Sequence, residues 1–216
     1  TDWLDAARAE SEARGPDRAP TEAASGLDLA GVQIVVVSGL PSSGTSMLMQ
    51  MLTAGGLEAF VDGEREADAS NPRGYYEHDR VRALARDKTW VPEADGRVVK
   101  VVAPLLPHLP IGAAYRVVLL TRDIGEVLAS QRRMLDRLGR PSVSDDVLAP
   151  AYSRHLLRAQ RWIDRAPGVQ GLTLDHATVL ADPTGAAEAL AAFLGADLDT
   201  EAMAAVVDPS LHRERS

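Results

Sequence analysis

The stretch VVVSGLPSSGTSMLMQML, from Val35 to Leu52, decides the fold that this sequence predicts. It continues a β-branched run, Val32 to Ser38, which is typical of a strand buried on both faces of a parallel sheet. A glycine loop follows, and then leucines and methionines recur at helical spacing until Gly55 and Gly56 end the pattern. The stretch therefore predicts a strand, a glycine loop and a helix in direct succession.

Further strands and helices alternate along the rest of the chain. Besides the first strand, the sequence predicts strands at Val98 to Val102 and Tyr115 to Thr121, and Val169 to Leu174 is a fourth strand candidate. Helices are predicted at Val81 to Lys88, Asp123 to Leu138, Pro150 to Asp164, Pro183 to Leu194 and Asp199 to Val207. This alternation predicts an α/β fold, a three-layer P-loop-like domain whose central parallel sheet is flanked by helices.

The length and composition indicate one enlarged globular domain. The chain has 216 residues, of which 45% are hydrophobic and 25% charged, as in ordinary globular proteins. A Gly15-Pro16 break follows an Ala-, Glu- and Arg-rich start, so residues 1–30 are predicted to form an N-terminal helix and linker. Residues 31–216 are predicted to form the α/β domain.

The charge balance and the absence of cysteine exclude several classes of function. With 23 basic and 31 acidic residues the net charge is −8, which disfavours bulk binding of nucleic acid. Without cysteine there are no disulfides, thiolate metal sites or cysteine nucleophiles. No apolar run is long enough for a membrane span, and the first residues lack the apolar core of a secretory signal. We therefore expect a cytoplasmic protein.

The glycine loop has the chemistry of a phosphate site. Backbone N–H groups of such a loop and the positive end of the following helix bind anions. Gly39, Gly44 and Ser46 keep the spacing of a nucleoside triphosphatase loop, but Thr45 stands where that loop has its lysine. This favours a terminal phosphate held by N–H and hydroxyl groups over ATP hydrolysis. The alternative is a strand–turn–helix whose glycines serve only packing.

The loop resembles the first motif of the sulfotransferase family, enzymes that use 3′-phosphoadenosine 5′-phosphosulfate (PAPS). The family pattern is P-[KR]-S-G-T-[ST], and Pro41, Ser43, Gly44, Thr45 and Ser46 match it. Ser42 stands at the position of the family's loop cation. The resemblance implies that the loop, with Ser42, Ser43, Gly44, Thr45 and Ser46, binds the 5′-phosphosulfate end of this cofactor.

A second segment, RDIGEVLAS from Arg122 to Ser130, resembles the family pattern R-[ND]-P-x-[DE]-V-x-x-S. The resemblance implies that Arg122 and Ser130 hold the 3′-phosphate, and that Arg213 in the C-terminal tail assists them. The alternative for Arg122 is a helix-start cation paired with Asp123 or Glu126.

The sequence departs from the family where catalysis takes place. VVKVVAP, from Val98 to Pro104, resembles the family's K-T-H-x-P strand: Lys100 and Pro104 match, but Val102 replaces the catalytic histidine. Lys100 is then the surviving cation near the transferring group. A lysine in a buried strand is costly unless it faces a polar site, so the alternative is pairing with a carboxylate at the sheet end.

A replacement base is expected in the segment NPRGYYEH, Asn71 to His78. Glu77 is favoured over His78, because a buried carboxylate can act as a base, and Arg73 could replace the missing loop cation. The alternative is that Tyr75, Tyr76 and Glu77 only pack against and cap the next helix. His155 and His176 are expected on the surfaces of helix or strand ends, with no metal site predicted.

Together these features predict a PAPS-dependent sulfotransferase that acts on a hydroxyl or amine of a small-molecule acceptor, without a metal. Two alternatives remain. One is a nucleotide-type kinase on the same scaffold, against which Thr45 counts. The other is a nucleotide-binding relative with impaired catalysis, which Ser42 and Val102 suggest.

Overall fold

A four-stranded parallel sheet forms the centre of the computed structural model, which describes residues 27–62 and 76–208. The strands are β1 (Gln33–Gly39), β2 (Val98–Val102), β3 (Ala114–Thr121) and β4 (Val169–Asp175), in the order β2-β1-β3-β4. Each strand lies within one residue of its predicted bounds. The sheet and its flanking helices confirm the predicted α/β class.

Seven helices surround the sheet within the described residues. They are α1 (Thr45–Ala54), α2 (Asp79–Arg82), α3 (Ile124–Arg137), α4 (Asp145–Arg165), α5 (His176–Ala181), α6 (Pro183–Leu194) and α7 (Thr200–Ala205). Two short 3₁₀ helices span Val91–Ala94 and Leu106–His108. None of the helices described is long and apolar enough to span a bilayer. The helix predicted for the first residues of the chain lies outside the described ranges.

The helices of the structure differ from the prediction in three places. The helix predicted from Val81 to Lys88 ends at Arg82 and continues as turns. At the predicted C-terminal end, the Asp87 carboxylate accepts hydrogen bonds from the Thr89 N–H and hydroxyl, which is typical of a turn. α4 begins five residues before Pro150, with Asp145 and Asp146 in its first turn, where carboxylates favour a helix N-terminus. α5 was not predicted; Asp175 caps it by accepting a hydrogen bond from the Thr178 N–H.

Alternate residues of the strands face opposite layers. Val36 belongs to a buried cluster with Trp162 of α4, whereas its neighbour Val37 packs with Leu48 of α1 and Leu190 of α6. The helices α1, α6 and α7 therefore cover one face of the sheet and α4 covers the other. Burial on both faces is the physical reason that β1, β2 and β3 are nearly continuous apolar runs in the sequence.

The strand order creates a crevice at the carboxyl edge of the sheet. The chain leaves β1 for β2 on one side, and leaves β3 for β4 on the other, although β1 and β3 are hydrogen-bonded neighbours. In open α/β sheets ligands bind at such a switch point. The glycine loop follows β1 and Arg122 follows β3, so both lie at this position.

Candidate functional site

The glycine loop makes a tight turn directly before α1. Ser42 and Gly44 adopt left-handed φ angles of 64° and 98°, and the Ser43 N–H donates to the Leu40 carbonyl at 3.1 Å. A Cβ on Gly39 would lie 2.6 Å from Ser43 Oγ and 2.8 Å from the Leu120 carbonyl oxygen, so only glycine fits there. Gly44 begins α1 without a side-chain cap. The first N–H groups of this helix therefore point toward the crevice.

Ser43 Oγ and Arg122 Nη2 are among the buried side-chain polar atoms that have no hydrogen-bond partner within the described residues. Ser43 as a residue is 1% exposed. Buried polar atoms of native proteins are nearly always satisfied, and exceptions point to a ligand or a functional role. Both atoms belong to residues that the sequence assigned to phosphate binding.

Arg122 forms the ion pair that the alternative interpretation predicted, and it also contacts the glycine loop. Its Nε pairs with Glu126 Oε2 at 2.9 Å, as expected of a cation at a helix start. Its Nη1 also donates to the Ser42 carbonyl at 3.2 Å, so the guanidinium lies against the glycine loop. Ser130 is half-buried on α3, one turn beyond Glu126. The end of β3 and the start of α3 thus flank the loop on one side.

Lys100 of β2 flanks the same loop on the other side. Its Nζ lies 3.2 Å from Ser46 Oγ and 3.4 Å from Glu77 Oε1. The lysine side chain is 7% exposed and that of Glu77 21%. The fold therefore joins the two residues singled out for catalysis and a loop hydroxyl, although they are far apart in the sequence. The contact is also the carboxylate pairing that the alternative for Lys100 anticipated.

His78 has a structural setting of its own. Its Nδ1 accepts from the Arg80 N–H at 3.2 Å and caps α2, and its ring stacks on Phe60 with centroids 4.5 Å apart. Asp62 Oδ2 lies 3.3 Å from the same nitrogen. The helix-capping role that the alternative gave to this segment is thus filled by His78. Arg73, Tyr75 and Arg213 lie outside the described residues.

His176 lies at the site, although the sequence gave it no role. The expectation that His155 and His176 lie on surfaces is wrong, since they are 7% and 6% exposed. His176 follows β4 at the same sheet edge as the loop, and its ring packs against Gly44, where a Cβ would lie 2.6 Å from Cδ2. Its position at a strand end was the available signal, because carboxyl ends of parallel strands meet at one edge.

Known proteins resemble this chain in structure and not in detectable sequence. No family model matches the sequence, and no curated protein does. A sulfotransferase domain from the curacin biosynthetic pathway aligns over 86% of this chain and 90% of its own, with a TM-score of 0.51 and 13% identity.

This chain has the sulfotransferase fold. Two other sulfotransferase structures also align. One, from Alicyclobacillus acidocaldarius, covers 77% of this chain and 83% of its own at 16% identity and a TM-score of 0.48. The other is the sulfotransferase domain of the Synechococcus PCC 7002 olefin synthase, at 19% identity, 85% and 88% coverage and a TM-score of 0.48.

Within this sulfotransferase fold, two cations and one helix N-terminus converge. β2 and β3 are the two neighbours of β1, so Lys100 and Arg122 approach the loop of β1 from opposite sides. Lys100 Nζ contacts Ser46 Oγ of the loop, and Arg122 Nη1 contacts the Ser42 carbonyl. α1 begins at Thr45, between these two serines in the chain. The arrangement can hold an extended anion with a charged group at each end.

Proposed function

We propose that this protein transfers a sulfuryl group from PAPS to a hydroxyl or amine of a small-molecule acceptor. The observation that carries the proposal is the placement of Arg122 and Lys100 on opposite sides of one glycine loop. A donor with phosphate groups at both ends of an adenosine needs two separate cationic contacts. A triphosphate chain would instead need the loop lysine, whose position Thr45 occupies.

The residues fit such a donor. Ser43 Oγ and Arg122 Nη2 are buried without a described partner, and phosphate oxygens would satisfy both atoms. The N–H groups at the start of α1 and the hydroxyls of Thr45 and Ser46 would hold the 5′ end. Arg122 and Ser130, with Arg213 as an expected assistant, would hold the 3′-phosphate.

The chain's own groups supply the chemistry that transfer requires. The donor, when bound, supplies an activated sulfuryl group with adenosine 3′,5′-bisphosphate as its leaving group. Lys100, with Arg73 as an expected second cation, would stabilise negative charge beside Ser46. Glu77 would accept the proton of the acceptor hydroxyl. An anion bound beside Ser46 competes with Glu77 for the Lys100 ammonium, which would release the carboxylate for this role.

One observation favours the second candidate, a relative that binds the nucleotide and is impaired in catalysis. The 3.4 Å ion pair with Lys100 holds the Glu77 carboxylate, and Val102 stands in place of the family's histidine. The two candidates differ in turnover and agree on binding. Turnover that Glu77→Gln abolishes, with unchanged nucleotide affinity, would favour the enzyme; tight binding with no transfer across a broad acceptor panel would favour the binding relative.

Calorimetric titration tests the proposal directly. Adenosine 3′,5′-bisphosphate is expected to bind more tightly than magnesium ATP. Arg122→Ala should weaken the bisphosphate by about 10- to 150-fold, the loss of one or two charge-assisted hydrogen bonds, and should weaken adenosine 5′-phosphate far less. The exposed Arg86→Ala is the matched control. Preference for ATP, or an equal effect of Arg122→Ala on both adenosine ligands, would contradict the proposal.

A further inference from the structure

We propose that Gln131 and Tyr152 are positioning residues that hold α3 at a fixed place relative to the glycine loop, an inference that rests on the proposed function. Ser130, which is expected to hold the 3′-phosphate, directly precedes Gln131 on α3. The loop that is expected to hold the 5′ end follows β1. The contacts that fix α3 against the loop therefore set the length of ligand that both can hold at once.

A buried hydrogen bond joins α3 to α4. The Tyr152 hydroxyl donates to Gln131 Oε1, and both residues are 1% exposed. The other buried residues of α3 are the apolar Val127, Leu128 and Leu135. Apolar contacts are non-directional, so by themselves they allow small shifts of a helix, whereas a hydrogen bond is strong only over a narrow range of distance and angle. The pair of hydroxyl and amide thus selects one placement of α3.

Tyr152 also packs against the glycine loop. It lies in one buried cluster with Val127 and Leu128 of α3 and with Leu40, which directly follows β1. The Leu40 carbonyl accepts the hydrogen bond from the Ser43 N–H that closes the turn of the loop. One side chain of α4 therefore contacts the loop and hydrogen-bonds to α3, which links the two expected phosphate contacts through buried groups.

Stability alone does not account for this pair. Gln131 Nε2 is buried and has no hydrogen-bond partner within the described residues. A buried donor that is left unsatisfied destabilises a fold, and apolar groups of the same shape can replace both members of a buried hydrogen bond with little loss of stability. Gln131→Met together with Tyr152→Phe would fill the same space without polar atoms. We therefore expect the pair to matter more for ligand binding than for folding.

Calorimetric titration of the full chain with adenosine 3′,5′-bisphosphate and with adenosine 5′-phosphate tests the positioning role. Gln131→Met/Tyr152→Phe should weaken binding of the bisphosphate about two- to tenfold, the range that corresponds to one neutral hydrogen bond. Its affinity for adenosine 5′-phosphate should stay the same, because only the bisphosphate spans both contacts. Its free energy of unfolding in urea should equal or exceed that of the unmodified chain.

Tyr115→Phe is the matched control. Tyr115 is also 1% exposed, and its hydroxyl donates to the Pro110 carbonyl at 2.9 Å, so the substitution removes a similar buried hydrogen bond. Tyr115 lies near the amino end of β3, whereas Arg122 follows the carboxyl end, about 20 Å away at 3.3 Å per residue. Tyr115→Phe should therefore change the preference for the bisphosphate by less than about twofold.

The outcomes separate the positioning role from the proposed function. If the unmodified chain does not bind the bisphosphate more tightly than adenosine 5′-phosphate, the proposed function is wrong, and so is the positioning role. If it does, three results would refute the positioning role alone: an unchanged preference in the double variant, equal losses of both ligands, or an equal effect of Tyr115→Phe. If the double variant does not fold, Tyr152→Phe, which removes a single oxygen atom, decides by the same ratio of affinities.

Discussion

Replacing Gly44 by alanine tests the packing of the glycine loop more sharply than any other single change. Gly44 has a φ angle of 98°, a conformation that L residues rarely adopt. Its Cβ would also lie 2.6 Å from His176 Cδ2 and 3.0 Å from Nε2. Gly44→Ala therefore adds backbone strain and a collision with a buried ring.

The two costs have separate magnitudes. A left-handed conformation costs an alanine about 1–2 kcal/mol. Overpacking of a closely packed interior costs about 1–3 kcal/mol, so Gly44→Ala should lower the unfolding free energy by about 2–5 kcal/mol in total. Gly56 is a matched control, because its φ angle is 109° but a Cβ there would meet no atom within 4 Å. Gly56→Ala should cost only the backbone term of about 1–2 kcal/mol.

Urea unfolding followed by circular dichroism measures these terms. The set comprises the unmodified chain, Gly44→Ala, Gly56→Ala, His176→Ala and the double variant Gly44→Ala/His176→Ala. In the His176→Ala background, the penalty of Gly44→Ala should shrink to about that of Gly56→Ala, a coupling of about 1–3 kcal/mol. The reasoning is refuted if Gly44→Ala is as mild as Gly56→Ala, or if its penalty is unchanged without the His176 ring.

Two further predictions concern stability. Glu77→Gln removes the carboxylate that pairs with the Lys100 ammonium, whose side chain is 7% exposed, so it should lower the free energy of unfolding measured in urea by about 1–3 kcal/mol. Adding Lys100→Met to Glu77→Gln should recover part of that loss. If Glu77→Gln leaves the free energy of unfolding unchanged, the ion pair does not stabilise the fold. Burial raises the pKa values of the Tyr115 and Tyr152 phenols, so at high pH the folded chain keeps protons that the unfolded chain loses. The contribution of these two tyrosines to the unfolding free energy should therefore not change below about pH 10, and should lower the unfolding free energy above it. Tyr152→Phe should reduce this alkaline fall in pH-dependent urea titrations, and an unchanged fall would show that Tyr152 does not contribute to it.

The strands were predictable because their signal is local. β1, β2 and β3 are runs of apolar, largely β-branched residues that are mostly buried, and such a run can be recognised from the sequence alone. The helices were less predictable where side-chain hydrogen bonds decide their ends. The Asp87 carboxylate binds Thr89 in a turn where the sequence predicted the end of a helix, and Asp175 caps the unpredicted α5 after β4.

The candidate site was predictable in part, and the limit is sequence distance. The motif resemblance picked out Arg122 and the loop separately, but nothing local indicates that Arg122 donates to the Ser42 carbonyl. Likewise Lys100 and Glu77 were each candidates, with no indication that they contact one another. His176 was missed because its contact with Gly44 exists only once β4 joins the sheet.

The residue order alone determined which segments are strands and that the first βα turn can bind an anion, because burial pattern and glycine spacing are properties of neighbouring residues. Tertiary structure alone decided which side chains surround that turn. Parallel pairing of β1 with β2 and β3 brings Lys100 and Arg122 to opposite sides of one loop, and only the assembled four-stranded sheet buries His176 against it. Contacts between residues distant in the chain depend on strand order and register, and no short stretch of sequence contains either.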